Sequence, residues 1–153
     1  MAILPDSRYG NAVAMSSAEL EAFLGQTFPT PLGVVGTLRR DGAPHLVPVW
    51  FRWDGAAVTI WTTEERAWVR NLMRDARAAF SVQTFEEPYP AVVIRGSATV
   101  ATADDAATIA EIHAITRRYV PAGGVEEYVA RWPQLRTIVT IAAEHIVSWS
   151  VGG

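Results

Sequence analysis

The sequence predicts a mainly β protein: a small antiparallel barrel of about six strands, with helices inserted after strands three and five. Three observations carry this. Asp41-Gly42 and Asp54-Gly55 are hairpin signals that join the first three apolar runs in succession, giving a meander rather than parallel βαβ units. Two long β-prone runs follow, AVVIRGSATVAT at 91–102 and RTIVTIAAEHIVSWSV at 136–151. Helical periodicity is confined to short stretches between the strands.

The elements follow in order. Residues 1–15 read as irregular. Ser16 or Ser17 caps a short helix, AELEAFLG, with Glu19 or Glu21 as capping-box partner. From Gly33, VVGTL is strand one and RRDGA turns it. HLVPVWFRW at 45–53 is strand two, and AVTIWT is strand three. Residues 64–75 form a helix with Trp68, Val69, Leu72, Met73 and Ala76 on its apolar face. ARAAFSVQ is strand four, and FEEPYP is a loop. Strand five, 91–102, carries a bulge signal at Arg95-Gly96. Residues 104–119 form a helix with Ile109, Ile112, Thr116 and Tyr119 inward, and GGVEEYVARW a shorter one. Strand six, 136–151, has an irregular point near Ala143-Glu144.

At 153 residues, half of them hydrophobic and 19% charged, the chain is long enough for one domain, 1–153, with a full core. A net charge of −3 argues against nucleic acid as a partner. With no cysteine, disulfides, thiolate catalysis and sulfur-ligated metals are excluded. MAILPDSRYG lacks the pattern of a signal peptide, and no apolar run reaches the length of a membrane span. The expected compartment is the cytoplasm, with no membrane partner. Six tryptophans in a domain this small point to an aromatic pocket or subunit interface. All thirteen basic residues are arginine, so any side-chain cation for a phosphate must be arginine.

One helix poses a question. Arg66, Arg70 and Arg74 recur every fourth residue, and like charges at that spacing repel by roughly 0.2–0.5 kcal/mol per pair. Glu64 and Glu65 are not at helical spacing from any of them. Either an anion lies along the row or acids from elsewhere in the fold do. Thr63 is placed to cap this helix. A phosphate could sit at its start, but Glu64 and Glu65 in the first turn would repel it. Pro48 is a second anomaly, because proline cannot donate to a ladder. It marks an edge strand, or a strand whose neighbouring N–H groups, such as those of Val49 and Trp50, face a planar ligand. His45, His113 and His145 fit no zinc or triad spacing and read as structural, and no Gly-rich phosphate loop is present.

The ordered set LRRDGAPHLVPVWFRWDG, TIWTT, RAWVRNLMRDAR and VIRGSA resembles the pyridoxamine-phosphate-oxidase-like split β-barrel superfamily, and looks closest to its flavin/deazaflavin oxidoreductase branch. The resemblance covers about residues 30–101, with a weaker echo in RTIVTIAAEHIVSW. It implies a six-stranded antiparallel split barrel of the FMN-binding type, and a homodimer with the cofactor at the subunit interface. It places Leu46, Val47, Pro48, Val49, Trp50 and Phe51 along an isoalloxazine or deazaflavin ring. Trp61 and Thr62 match a contact with ring and ribityl phosphate, and Arg66, Ala67 and Trp68 match the phosphate site. Thr63, Arg70 and Asn71 complete the expected set. The chain departs from the family pattern where Ala67 and Trp68 replace cations.

The function implied is hydride transfer between a deazaflavin coenzyme (factor 420) or FMN and a small organic substrate. No catalytic side chain is assigned, since the cofactor carries that chemistry. The alternative is a non-catalytic protein holding flavin, haem or a bile pigment between Trp50, Trp53, Trp61 and Trp68. The ending SWSVGG lacks the Arg-Leu-Ala-Pro-like close of a pyridoxine-phosphate oxidase proper.

Overall fold

A computed structural model describes Ala2–Ile3 and residues 12–151. Short strands β1 (Ala2–Ile3) and β2 (Ala12–Val13) precede helix α1 (Ser17–Leu24). Then come β3 (Gly33–Leu38), β4 (Pro44–Val49), β5 (Arg52–Trp53), β6 (Ala57–Thr62), helix α2 (Ala67–Arg74), β7 (Arg77–Gln83) and β8 (Ala91–Thr102). Helices α3 (Ala106–Thr116) and α4 (Val125–Ala130) lead to β9 (Thr137–Val151). The main path of the sheet runs β4-β3-β7-β8-β9-β6-β5, with each neighbouring pair antiparallel, and β1 and β2 both pair with β9. The stretch expected to be irregular, 1–15, therefore contributes two short strands, and the rest of it before Ala12 lies outside the described residues.

Local chemistry sets the turns. Gly42 has φ +84° and Gly55 φ +98°, the left-handed backbone a glycine takes without strain. Asp41 accepts from the Ala43 N–H at 3.0 Å, and Asp54 from those of Ala56 and Ala57 at 2.8 and 2.7 Å. At α1, Ser16 and Glu19 form the reciprocal capping box. The ladder between β8 and β9 slips at Arg95/Gly96, where Glu144 is the extra residue between the pairings of His145 and Ala143. Both irregular points marked in the sequence are thus one bulge. A Cβ on Gly96 would lie 1.7 Å from the Ala142 carbonyl oxygen, so only glycine permits that approach.

The expected single strand 45–53 is two strands. β4 ends at Val49, and β5 begins at Arg52 on the opposite edge of the sheet. Trp50 and Phe51 cross between the two edges, and the barrel is split there. The cause is closure: a curled sheet brings its edges together, and one chain cannot pair with β3 and β6 at the same residues.

Crossing that seam leaves backbone groups without a ladder partner, and the Phe51 side chain is wholly buried. Tyr119 meets the Phe51 N–H with its hydroxyl oxygen at 3.2 Å and donates to the Pro31 carbonyl at 2.9 Å. Arg118 donates from Nη1 to the Phe51 carbonyl. Its Nη2 donates to the carbonyls of Leu24 at 2.8 Å and Gln26 at 3.3 Å. The guanidinium lies 4.5 Å from the centre of the Phe51 ring. Arg118 is 8% exposed and, among the described residues, has no acidic partner. Burial lowers its pKa from the ordinary arginine value, and the side chain is held in place by carbonyl dipoles. The main core lies beneath, built from Leu24, Val35, Phe51, Val58, Ile60, Val69, Phe80, Val92, Ile94, Val139 and Ile141.

Arg118→Leu should remove these charge-assisted bonds and lower unfolding free energy by about 3 kcal/mol or more. Arg117→Leu, at the exposed neighbouring position, should change it by less than about 0.5 kcal/mol. Urea unfolding of the two variants checks this, and equal effects would contradict the role of Arg118.

Candidate functional site

A cleft of about 580 Å³ opens along the seam. Its first wall is the free edge of β4, with His45, Val47, Pro48 and Val49 followed by Trp50. Its second is the end of β6 and the start of α2: Trp61, Thr62, Thr63, Arg66, Ala67 and Trp68. Its third comes from the helical insertion between β8 and β9: Ile115, Tyr128, Trp132, Gln134 and Leu135.

Among the described residues β4 pairs with β3 alone, so one row of its backbone groups has no strand opposite. The Arg39 N–H bonds the Ala43 carbonyl at the hairpin end, and counting in twos along the ladder puts Pro48, opposite Val34, at a non-hydrogen-bonded pair. Its missing N–H therefore costs β3 nothing. The same count turns the Leu46 amide and carbonyl and the Pro48 carbonyl to the open edge. The N–H of Val49, expected to face outward, points to β3 instead.

α2 starts later than the expected 64–75. A turn closed by the Arg66 N–H to the Thr63 carbonyl, 3.3 Å, occupies 63–66, and Arg66 rather than Thr63 is the N-cap. Arg66 makes no side-chain capping bond, and the first turn holds no acid. Glu64 instead accepts from the Thr102 hydroxyl at 2.6 Å. Glu64 and Glu65 thus precede the helix rather than occupy its first turn, and the N–H groups and dipole of the helix start favour an anion. Among the described residues, none of Arg66, Arg70 and Arg74 forms an ion pair.

Aromatic side chains build the far wall. Trp50 stacks on Tyr119 with centroids 4.7 Å apart and planes 3° apart. Tyr128 lies 5.2 Å from Trp50 and 6.3 Å from Trp61. The Trp61 indole donates to the Leu135 carbonyl at 2.9 Å. The insertion is anchored to the sheet by Glu111, which takes a two-pronged ion pair from Arg52, 2.8 Å in each contact, and a bond from the Thr59 hydroxyl. Burial acts to raise the Glu111 pKa, but these donors and the Arg52 charge outweigh it, and the carboxyl is held below its ordinary value.

Ten of the expected positions line this cleft: Val47, Pro48, Val49, Trp50, Trp61, Thr62, Thr63, Arg66, Ala67 and Trp68. Four lie elsewhere. Leu46 is 68% exposed on the other face of β4, Phe51 is in the core, Arg70 is exposed on α2, and Asn71 is buried against Thr37. Trp68 is 5% exposed and packs in the core with Val69 and Leu72 while touching the cleft. A lysine there would carry its stem through apolar surroundings. Trp53 turns away, donating to the Glu21 carboxylate at 3.0 Å. The sequence reading missed the third wall. Its one local signal is the four-residue spacing of Tyr128 and Trp132, which puts two aromatic rings on one side of α4's end. His45, read as structural, also lines the cleft.

An antiparallel barrel open at one seam, with a cleft along the opening, defines the split-barrel class. The chain matches the pyridoxamine 5'-phosphate oxidase family over residues 16–150, and belongs to it. Among solved structures, a conserved hypothetical protein from Mycobacterium tuberculosis is 24% identical with a TM-score of 0.73, covering 92% of this chain and 88% of that one. A factor 420 reductase is 24% identical with a TM-score of 0.62, over 82% of this chain and 94% of that one. A haem binding protein from Mycobacterium smegmatis is 21% identical with a TM-score of 0.63, over 92% of this chain and 56% of that one. At these identities the likeness is one of fold. No curated protein matches the sequence. Among the described residues, no helix is long and apolar enough to cross a membrane.

A carboxyl whose pKa is lowered by folding stabilises the fold above its unfolded pKa, and that contribution is lost as the pH falls through the folded value. Stability should therefore fall with acid through the region below the ordinary glutamate range. Glu111→Gln should flatten that part of the curve and lower stability at neutral pH. Thermal melts from pH 7 to 3 on parent and variant check this, and identical slopes would contradict the anchor.

Proposed function

We propose that this chain is an oxidoreductase that holds FMN or a deazaflavin coenzyme (factor 420) in the seam cleft and acts on a small organic substrate. The observation that carries the reading is the juxtaposition at one end of the cleft: Arg66 beside the acid-free, side-chain-uncapped start of α2, next to the free edge of β4. The first offers an anion site and the second a row of backbone groups for a planar ring. The cleft volume of about 580 Å³ is within the ordinary range of cofactor pockets.

In this reading the N–H groups at the start of α2 and the Arg66 guanidinium hold the cofactor phosphate. Trp50, Trp61 and Tyr128 bound the ring and exclude water. Trp132, 41% exposed at the mouth, faces the substrate side. The cofactor supplies the hydride chemistry. The protein supplies position and a low-dielectric wall. A homodimer belongs to the same proposal. Leu46, Leu32 and Phe28 are each more than half exposed, an apolar load that a second copy would cover.

The second reading, a haem binding protein, is favoured by the aromatic lining and by the fold it shares with such a protein from Mycobacterium smegmatis. Absorbance separates the two in the green, where reduced haem shows sharp bands and neither FMN nor the deazaflavin absorbs.

Titration with FMN and with oxidised deazaflavin, followed by quenching of tryptophan fluorescence, should give saturable binding for at least one. Arg66→Ala should weaken it by roughly ten- to a hundredfold, with unchanged melting temperature. Unaltered affinity would remove the phosphate from this end of the cleft. Sedimentation at micromolar concentration should show twice the 16.7 kDa chain mass, and a monomer with and without cofactor would exclude the dimer.

A further inference from the structure

We propose that His45 is a fixed hydrogen-bond donor in the cleft, set in its Nε2–H tautomer by Asn71, and that it meets an acceptor oxygen of the bound ligand. The proposal rests on reading the cleft as a ligand site.

The tautomer follows from a chain of bonds beginning at the last arginine of the row. Arg74 Nη2 lies 2.7 Å from the Leu38 carbonyl oxygen and 3.1 Å from Asn71 Oδ1. A guanidinium only donates, so the side of the Asn71 amide facing Arg74 must be its oxygen. The amide nitrogen then points the other way. It lies 3.1 Å from the Thr37 hydroxyl oxygen and 3.4 Å from His45 Nδ1. Asn71 is 7% exposed and Thr37 2%, so water has little access to this group. The amide has two hydrogens and, among the described residues, two acceptors within reach. The hydroxyl takes one and the imidazole the other.

His45 Nδ1 therefore accepts, and in the neutral ring the proton is on Nε2. The His45 ring lines the cleft, and Nε2 has no partner among the described residues. What it offers there is a single N–H donor of fixed direction, suited to a carbonyl or phosphate oxygen. It does not offer a lone pair. A nitrogen that carries its proton cannot ligate a metal, so the arrangement opposes His45 Nε2 as an axial ligand to haem iron. Asn71 is then a positioning residue acting through His45. This gives the buried amide a purpose that packing alone does not.

Long-range ¹H–¹⁵N NMR on the ligand-free protein reads the tautomer directly. The parent should show His45 protonated at Nε2. Asn71→Asp replaces the amide donor with a carboxylate acceptor and should move the proton to Nδ1, a change that mere packing at residue 71 would not produce. A parent protonated at Nδ1 overturns the proposal. For the binding half, His45→Ala should weaken FMN by about tenfold, and His45→Gln, which keeps a donor, should restore most of the loss. Equal FMN affinity in parent and His45→Ala overturns it. Riboflavin, which lacks the phosphate, locates the oxygen. A similar loss places it on the ring or ribityl chain, and no loss places it on the phosphate. A parent that binds neither FMN nor deazaflavin defeats the functional reading, while the ligand-free spectrum still decides the tautomer.

Discussion

Phe51 crosses between the two edges of a curled sheet, and Arg118 and Tyr119 meet its carbonyl and its N–H. Without these bonds, a buried residue would leave two backbone groups unsatisfied, each costing on the order of 1–3 kcal/mol. The same two side chains reach Leu24, Gln26 and Pro31, so one cluster ties α1, the seam and the end of α3 together. A second consequence is geometric. Holding the crossing chain in place keeps β4 and β5 at opposite edges, and the cleft is the space this leaves along β4. Tyr119 also carries the Trp50 stack, so the cluster that satisfies the seam also fixes the aromatic wall of the site.

The arginine row that looked like one feature is three. Arg74 is bonded to the Leu38 carbonyl and to Asn71 and supports the inner side of α2. Arg70 is exposed on the helix surface. Arg66 lies at the helix start and lines the cleft. Glu64 is bonded to Thr102 and the first turn of α2 holds no acid, so the positive end of the α2 dipole adds to Arg66. One retained cation and a helix start thus occupy the place where Ala67 and Trp68 leave no side-chain charge.

The features legible in the sequence were those decided by neighbours in the chain. Asp41-Gly42, Asp54-Gly55, the capping box at Ser16 and the glycine of the bulge each act within a few residues, and each formed where the residues pointed. The family followed from motifs in a set order along the chain, on β3 to β6, α2 and β8. Features decided by distant partners were not legible. HLVPVWFRW reads as one strand because nothing within it says that its two halves must pair with opposite edges. Thr63 reads as the cap because its side chain is suitable, yet the 63–66 turn starts the helix three residues later. Phe51 and Asn71 carry the right motif but are claimed by Arg118, Thr37 and His45, none of them close in sequence. The third wall, with Tyr128 and Trp132, comes from an insertion whose relation to the cleft exists only after folding.

The central claim is that the seam cleft is a cofactor site with its anion end at the start of α2. A crystal structure of the protein soaked or co-crystallised with FMN or oxidised deazaflavin tests it most directly. The account predicts a ring along the free edge of β4 beside Trp50, with the phosphate against the Ala67 and Trp68 N–H groups and Arg66. A cofactor bound with its phosphate elsewhere, or a saturated complex with the cleft empty, would contradict it.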